Sequence, residues 1–287
     1  MERVDSVSIA ICGIALRFRF PTPVQLGSEF TAFLCDDSVE PDEIFQVQLL
    51  MEPLVPDVPV YAKSNNNLIY QTDKGWLRIY SSLTAEDGCQ VACLFCPDGN
   101  HTLYYPASQW ESYIRDDFRC MHLICAELLL IRRSAFLLHS SMVMIHDRII
   151  LFSGPSGAGK STQADLWAKF TDAQVINGDR CVIMEQEGKF YGGGSPWCGT
   201  SGIRRREQAP IAGIFLVKQA DENSIQRLQG LQAFLPLFSQ TLVNSWDSQF
   251  MAQLTSLYER LLARIPVYKL NCRVDEEAVR LVYRTLF

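Results

Sequence analysis

No run of apolar residues in this sequence approaches the ~18 needed to cross a bilayer as a helix, which argues against a helical membrane protein. Positive charge is not in excess either: 26 Lys and Arg stand against 32 Asp and Glu, a net charge of -6. A surface made chiefly for nucleic acid is therefore not expected. Internal repeats and low-complexity segments are absent from the sequence. The opening residues Met1-Glu2-Arg3-Val4-Asp5 put acids ahead of the apolar stretch Val7 to Leu16, unlike the basic start of a secretory signal. Ten cysteines are scattered without the close spacing of small disulfide-framed domains, the usage of a reduced, cytosolic protein. The expectation is a cytoplasmic protein whose partners include neither membrane nor nucleic acid.

What is present is ample apolar material. At 287 residues, 48% of them hydrophobic, the chain can bury a sizeable core and is long enough for two domains. Apolar or alternating segments such as Val7–Cys12, Trp76–Tyr80 and Cys89–Phe95 are separated by turn clusters at Pro53–Pro59, Ser64–Asn67 and Pro97–Asn100, so residues 1–107 read as a β-rich domain. Between 108 and 133 the apolar spacing turns helical through Trp110, Tyr113, Ile114, Phe118, Met121, Ile124, Cys125, Leu128 and Leu129, which predicts a connecting helix. Residues 134–287 then read as strands Phe136–His139 and Met142–Ile145, a turn at His146-Asp147, and a further strand Arg148–Ser153. Beyond it come a helix, a strand Ala173–Asn177, a β-rich stretch to about Leu216, two helices between Gly230 and Arg264, strand Val267–Leu270 and a last helix from Asp275. The fold class expected is α/β, α+β overall.

The most specific signal is Gly154-Pro155-Ser156-Gly157-Ala158-Gly159-Lys160-Ser161, a complete G-x-x-x-x-G-K-[ST] loop. Its glycines let backbone N–H groups curl around an oligophosphate. Lys160 offers a mobile charge to the β- and γ-phosphates, and the Ser161 hydroxyl is the expected Mg²⁺ ligand. The apolar strand before the loop and the helical spacing from Thr162 to Phe170 put it at a helix N-terminus, where the dipole favours anions. Gly154 to Thr162 are thus the candidate nucleotide-binding residues, for ATP or GTP with Mg²⁺.

Such a loop needs an acid that holds the metal or takes a proton. Val175-Ile176-Asn177-Gly178-Asp179 is a short apolar strand ending in an aspartate 19 positions after Lys160. That is one helix and one strand away, which brings Asp179 beside the loop if the two strands are neighbours. His139, 15 residues before Gly154, closes an apolar strand that a hairpin would return to the same sheet edge. Either residue could equally be ordinary: a solvated carboxylate at a strand end, or a satisfied, partly buried histidine.

These three features together resemble the HPr kinase/phosphorylase family, whose catalytic core is shared with phosphoenolpyruvate carboxykinases. The resemblance covers roughly Phe136 to Phe287, with Tyr191 to Thr200 looking like the Gly-Pro-Trp stretch of kinase-only relatives. It implies a P-loop nucleotide domain of the HPr kinase C-terminal type with a mixed sheet, beside the amino-terminal β-rich domain. By resemblance His139 falls on the family histidine and Asp179 on the second acid of a pair, with Ser161 and Asp179 metal-linked and Asp179, with His139, activating an acceptor hydroxyl. Catalytic duty would then fall to Asp179, His139 and Lys160. The partner implied is a small protein or peptide carrying an acceptor serine, as for relatives that accompany peptide-modifying systems; a homo-oligomer is compatible with the reading. Two departures stand out: Gly178 replaces the first acid, and the Ile-Arg-Gly-Leu-Gly-type run used for dephosphorylation is absent. They argue against phosphorylase activity and leave HPr itself an insecure substrate. They also keep two rivals open, a small-molecule kinase on the same loop and a nucleotide-binding regulatory or scaffold module with little turnover.

Other constellations carry less. Arg204-Arg205-Arg206 could clamp phosphate or an acidic acceptor, with at most two side chains serving one site on a strand; Arg204 and Arg205 are the substrate candidates, against a plain solvated edge. Cys89, Cys93 and Cys96 have cluster-ligand spacing and, with His101, could form a zinc site, although the run they sit on also reads as a strand with small buried thiols. Trp167, Trp197 and Trp246, like the face formed by Leu231, Phe234, Leu235, Leu237 and Phe238, read as packing.

Overall fold

Alternating apolar and polar residues drive most of this chain into strands, and tight turns fold the strands back on one another. In three hairpins both turn residues take a left-handed backbone: Cys12-Gly13 (φ 51° and 81°), His146-Asp147 (50° and 54°) and Glu187-Gly188 (49° and 73°). A computed structural model describes residues 3–27, 31–64, 67–115 and 123–287. The chain forms two compact units, Met1–Ala126 and Glu127–Phe287, and is α+β, built on two large mixed sheets.

The first unit carries strands β1 (Val4–Ile11), β2 (Ile14–Val24), β3 (Glu43–Leu50), β4 (Val60–Ser64), β5 (Asn67–Gln71), β6 (Trp76–Thr84), β7 (Gln90–Phe95) and β8 (Asn100–Pro106). They form one sheet in the order β1-β2-β3-β8-β7-β6-β5-β4, antiparallel except where β3 lies parallel to β2 and to β8. Within the core lies a polar pair. Cys96 N–H donates to His101 Nδ1 at 3.0 Å, so the ring proton sits on Nε2, which donates to Glu43 Oε2 at 2.9 Å. Phe45 and Phe95 flank the imidazole at 4.6 and 4.2 Å, and both polar residues are buried. His101 is thus committed to a carboxyl and a backbone amide. Cys89, Cys93 and Cys96 are buried thiols, Cys89 and Cys96 donating to Leu50 O and Leu94 O. Among the described residues no group of three or more His, Cys, Asp or Glu is placed to hold a metal ion.

The helix expected over 108–133 is not continuous. Helix is present at α1 (Trp110–Arg115) and α2 (Ala126–Ile131), while Leu123 to Cys125 is not helical and Cys125 has a φ of 50°. Tyr80 supplies the reason: its Oη bonds Leu123 O at 3.3 Å and Cys125 Sγ at 3.7 Å, tying the segment into a turn. Phe118 and Met121 of the expected apolar face lie outside the described residues.

The second unit runs β9 (Ala135–Ile145), β10 (Arg148–Ser153), α3 (Lys160–Phe170), β11 (Gln174–Asn177), β12 (Arg180–Gln186), β13 (Lys189–Gly193), β14 (Gln208–Gln219), β15 (Ser224–Leu228), α4 (Leu231–Phe238), α5 (Ser248–Arg264), β16 (Val267–Cys272) and α6 (Glu276–Leu286). Its sheet has the order β10-β9-β12-β13-β14-β16-β15, with β11 also on β9 and β10 also parallel to β14. Pairing therefore closes a circuit from β10 through β9, β12, β13 and β14 back to β10. The two strands expected at 136–139 and 142–145 are one strand. Ser140 and Ser141, which look like a polar break, are fully buried, their hydroxyls donating to Leu138 O and Gly178 O, each at 3.2 Å. Helices α3 and α6 cover one face, where Phe152, Phe215 and Leu270 meet Trp167, Val279 and Val282. Asp247 and Asp275 cap α5 and α6 by accepting from first-turn amides, and Glu276 and Glu277 add the charge the helix dipole favours.

Replacing Glu43 by Leu removes the acceptor of a buried imidazole N–H and should cost about 1–3 kcal/mol. Glu43→Gln, which keeps an acceptor oxygen, should lose clearly less. Urea unfolding of the three proteins measures the difference, and equal midpoints for Leu and Gln would contradict the pairing.

Candidate active site

The phosphate loop joins β10 to α3 through backbone that glycine alone takes readily. Gly154, Gly157 and Gly159 have φ of 148°, 77° and 100°. At Gly154 space is also limiting, since a Cβ would lie 3.2 Å from both Ala158 Cβ and Val217 O. Gly159 is the N-cap of α3 and no side chain caps the helix, so the first amides of α3 have no intrahelical partner and point out of its end. Lys160 opens the helix, is buried, and donates from Nζ to Gly154 O and Pro155 O, each at 3.0 Å. Ser161 is exposed and Thr162 half-buried on the first turn; Pro155, Ser156 and Gly157 are exposed.

The loop strand and the strand bearing Asp179 are not neighbours. β9 lies between them, antiparallel to β10 on one edge and to β11 and β12 on the other. Ser153, the last residue of β10, pairs with Ser140, and Arg180 pairs with His139. Ser153 Oγ donates to His139 O at 2.9 Å, while Ser140 N donates to Asp179 O at 2.9 Å. The loop and Asp179 thus sit on either side of the same two residues of β9. His139 is in mid-strand, not at a strand end, and its Nδ1 lies 3.0 Å from Asp179 Oδ1 and 3.1 Å from Asp179 O. Both partners are acceptors, which places the proton on Nδ1.

The electrostatics tie the three side chains together. The Asp179 carboxyl is held below the usual carboxylate range, first by the His139 hydrogen bond, against the opposing effect of burial, and further by the charges of His139, Arg180 and Lys160. Burial pulls Lys160 below the usual lysine value, and the Asp179 charge opposes that. Arg180 Nε stands 3.8 Å from Asp179 Oδ2. Asp179 thus favours its ionised form, while the Lys160 ammonium is turned to the carbonyls of its own loop.

Sequence reasoning passed over the residue that builds this corner. Asn177 is fully buried; its Oδ1 accepts from Asp179 N at 2.9 Å and Arg180 N at 3.0 Å. Its Nδ2 donates to Ser195 O at 2.9 Å and Trp197 O at 3.1 Å, and Ser195 Oγ donates to Arg180 O. The tripeptide Asn-Gly-Asp was the available signal, because asparagine side chains close turns on amides two or three residues on. Trp167 and Trp197 are buried packing residues. Arg204 forms an isolated bridge with Asn177 and donates to Cys198 Sγ at 3.1 Å; Arg205 Nε donates to Val175 O at 3.1 Å. Both arginines are thus engaged with the edge of β11 and the turn after Trp197. At Gly178 a Cβ would fall 2.0 Å from Ser201 Oγ, so an acid there requires the Gly199–Ser201 turn to move.

No family model and no curated protein matches the sequence. Among solved structures, the HPr(Ser) kinase/phosphatase from Coxiella burnetii is similar at 12% identity and a TM-score of 0.29, over 52% of this chain and 95% of that one. At that TM-score the likeness carries no chemistry to this chain.

Since Asp179 titrates lower folded than unfolded, its contribution to stability is present above the ordinary carboxylate pKa and is lost as pH falls through the folded value. His139→Ala removes the largest cause, so the ¹³Cγ titration of Asp179 should move up towards the usual range; an unmoved midpoint would refute the pairing. Asn177→Ala leaves two amides and two carbonyls of a buried corner without their partner. It should destabilise the fold by roughly 2–4 kcal/mol, read as a fall in the urea midpoint.

Proposed function

We propose that residues 134–287 form a phosphotransferase domain of the HPr-kinase-like, P-loop kind. In this reading it moves the γ-phosphate of ATP, with GTP as the variant, to a hydroxyl carried by a serine of a small protein or peptide. One observation carries the reading: the strand that leads into the Lys160 loop and the turn bearing Asp179 flank the same two residues of β9, with His139 of that strand hydrogen-bonded to Asp179. The sequence resemblance at Gly154 to Ser161, His139 and Asp179 supports it.

Each residue has a physical task. The backbone of Gly154 to Thr162 cradles the phosphates and the α3 dipole favours their charge. Lys160 adds a positive charge in a partly desolvated place, where charge is worth more than in water. Ser161 and Asp179 supply a hydroxyl and one carboxylate, a donor set that suits Mg²⁺ because this ion keeps water and phosphate oxygens in its shell. Bound there, Mg²⁺ would neutralise charge on the β- and γ-oxygens. The acceptor oxygen forms its bond to the γ-phosphorus as the bond to the β-phosphate oxygen breaks; the nucleoside diphosphate leaves, and the hydroxyl proton passes to the Asp179–His139 pair.

A second reading, a nucleotide-binding module with little turnover, is favoured by the Gly178 corner, where the turn at Ser201 takes the room of a second acid. Turnover separates the two. With a serine peptide present, the kinase reading expects phosphate on the peptide, and the module reading expects bound nucleotide and none transferred. For the kinase, Lys160→Ala should lower transfer on the order of 10²–10³-fold with the fold kept; a fully active variant contradicts the assignment. Asp179→Asn should slow kcat by roughly 10²–10⁴-fold while nucleotide still binds, and an undiminished rate removes Asp179 from the chemistry.

A further inference from the structure

Beside the phosphate loop the second sheet opens into a pocket of about 450 Å³ under α4. Leu216 pairs with Lys269, and Lys269 with Gln226, so these three side chains share a sheet face; Phe215 and Leu270 belong to the core beneath α3 and α6. Lys218, Leu228 and Pro236 complete the walls used here. The pocket adjoins the loop directly. Val217 lines it, and the carbonyl of Val217 lies 3.2 Å from where a Cβ on Gly154 would be. The next residue but one, Gln219, donates to Gly157 O at 2.9 Å. On the other side the segment leaving α4 reaches His139, whose N–H donates to Gln240 O at 2.8 Å.

The charge here is of one sign. Lys218 and Lys269 line the pocket and no Asp or Glu does; neither lysine forms an ion pair with any described residue. On α4, next in sequence to the pocket-lining Gln232 and Pro236, Leu231 and Leu235 stand one turn apart and are 70% and 58% exposed. Two ammonium groups in an apolar-walled recess bind carboxylates, and a leucine ridge beside them offers anchorage that a small metabolite would not reach. We propose that this pocket and ridge dock an acidic peptide segment that carries apolar side chains, and so present its hydroxyl to the loop. The docking site stands on the pocket alone; the role as acceptor site rests on the kinase reading above.

The test uses the full chain and a fluorescein-labelled synthetic peptide, Leu-Gly-Glu-Glu-Ser-Gly-Leu, with twins in which both Glu are Gln or Lys. Anisotropy should show the Glu peptide at least tenfold tighter than either twin. The double variant Lys218→Glu/Lys269→Glu should lose that preference and bind the Lys twin best. Leu231→Ser/Leu235→Ser should weaken the Glu and Gln peptides by the same factor. An unchanged far-UV circular dichroism spectrum and a cooperative urea transition verify that each variant is folded, and affinity for a non-hydrolysable ATP analogue is measured on the same proteins. Equal binding of the three peptides, no binding of any, or indifference to the leucine changes overturns the proposal. So does weaker analogue binding by a folded charge-reversal variant, which would assign the lysines to the nucleotide. Docking of the Glu peptide without phosphate transfer sinks the kinase reading and leaves the site; transfer to all three with equal kcat/KM sinks the site and leaves the kinase.

Discussion

The hydrogen bonding of β9 along both edges is the constraint on which the rest of the second unit depends. One edge holds β10, which delivers the phosphate loop, and the other holds β11 and β12, whose junction delivers Asp179. Strands are spaced about 4.8 Å apart, so groups hung from the two flanking strands start roughly 10 Å apart. β9 stands between the two, with His139 hydrogen-bonded on its Asp179 side. Lys160 reaches back to Gly154 O and Pro155 O rather than across to the acid, which fits a site where charges are coupled but not in contact.

Steric detail at the Asp179 corner decides how many acids it can hold. Ser201 Oγ donates to Cys198 O at 2.7 Å and accepts from Ile203 N at 3.2 Å, so the hydroxyl that excludes a side chain at position 178 is fixed from both directions. In the kinase reading a lone carboxylate would then serve both cation and proton. Its lowered pKa favours the first duty, because a group firmly ionised at neutral pH is a poor proton acceptor and a good cation partner. His139 Nδ1 already carries the proton of its bond to Asp179, so the imidazole orients and steadies the carboxylate, and only its Nε2 is left to accept a further proton.

The strand, glycine-rich turn and helix around Lys160 were legible because that arrangement is local and its residues are consecutive. The turn that carries Asp179 was legible for the same reason, as the polar end of an apolar run. What joins them was not, since strand order is set by pairing between residues far apart in sequence. The strand break expected at Ser140-Ser141 shows the mechanism of the error: a pair of serines reads as a turn unless their hydroxyls find buried acceptors, and Gly178 O, 37 residues on, is such an acceptor. β15, Ser-Ile-Gln-Arg-Leu, went unread because a short, polar edge strand looks like a loop. The same blindness hid the turn at Leu123–Cys125, which a single phenol, Tyr80, imposes on a sequence with helical spacing.

Helix α4 links recognition to chemistry through the backbone. Gly230 enters it with a φ of 53° and Pro236 inside it has no N–H to donate, so a helix of this length holds few internal bonds and depends on what packs against it. Its buried side uses Ala233 and Leu237, with Phe234 and Phe238 against Tyr258 at 5.4 and 6.0 Å. Its outer side is the leucine ridge. The residues that follow bond directly to β9, Gln240 O accepting from His139 N and Leu242 N donating to Leu137 O at 3.2 Å. These two bonds tie the segment after α4 to the stretch of β9 that carries His139. In the kinase reading, a peptide held on α4 would act through these bonds on the aim of His139, the use of binding energy that raises kcat rather than affinity alone.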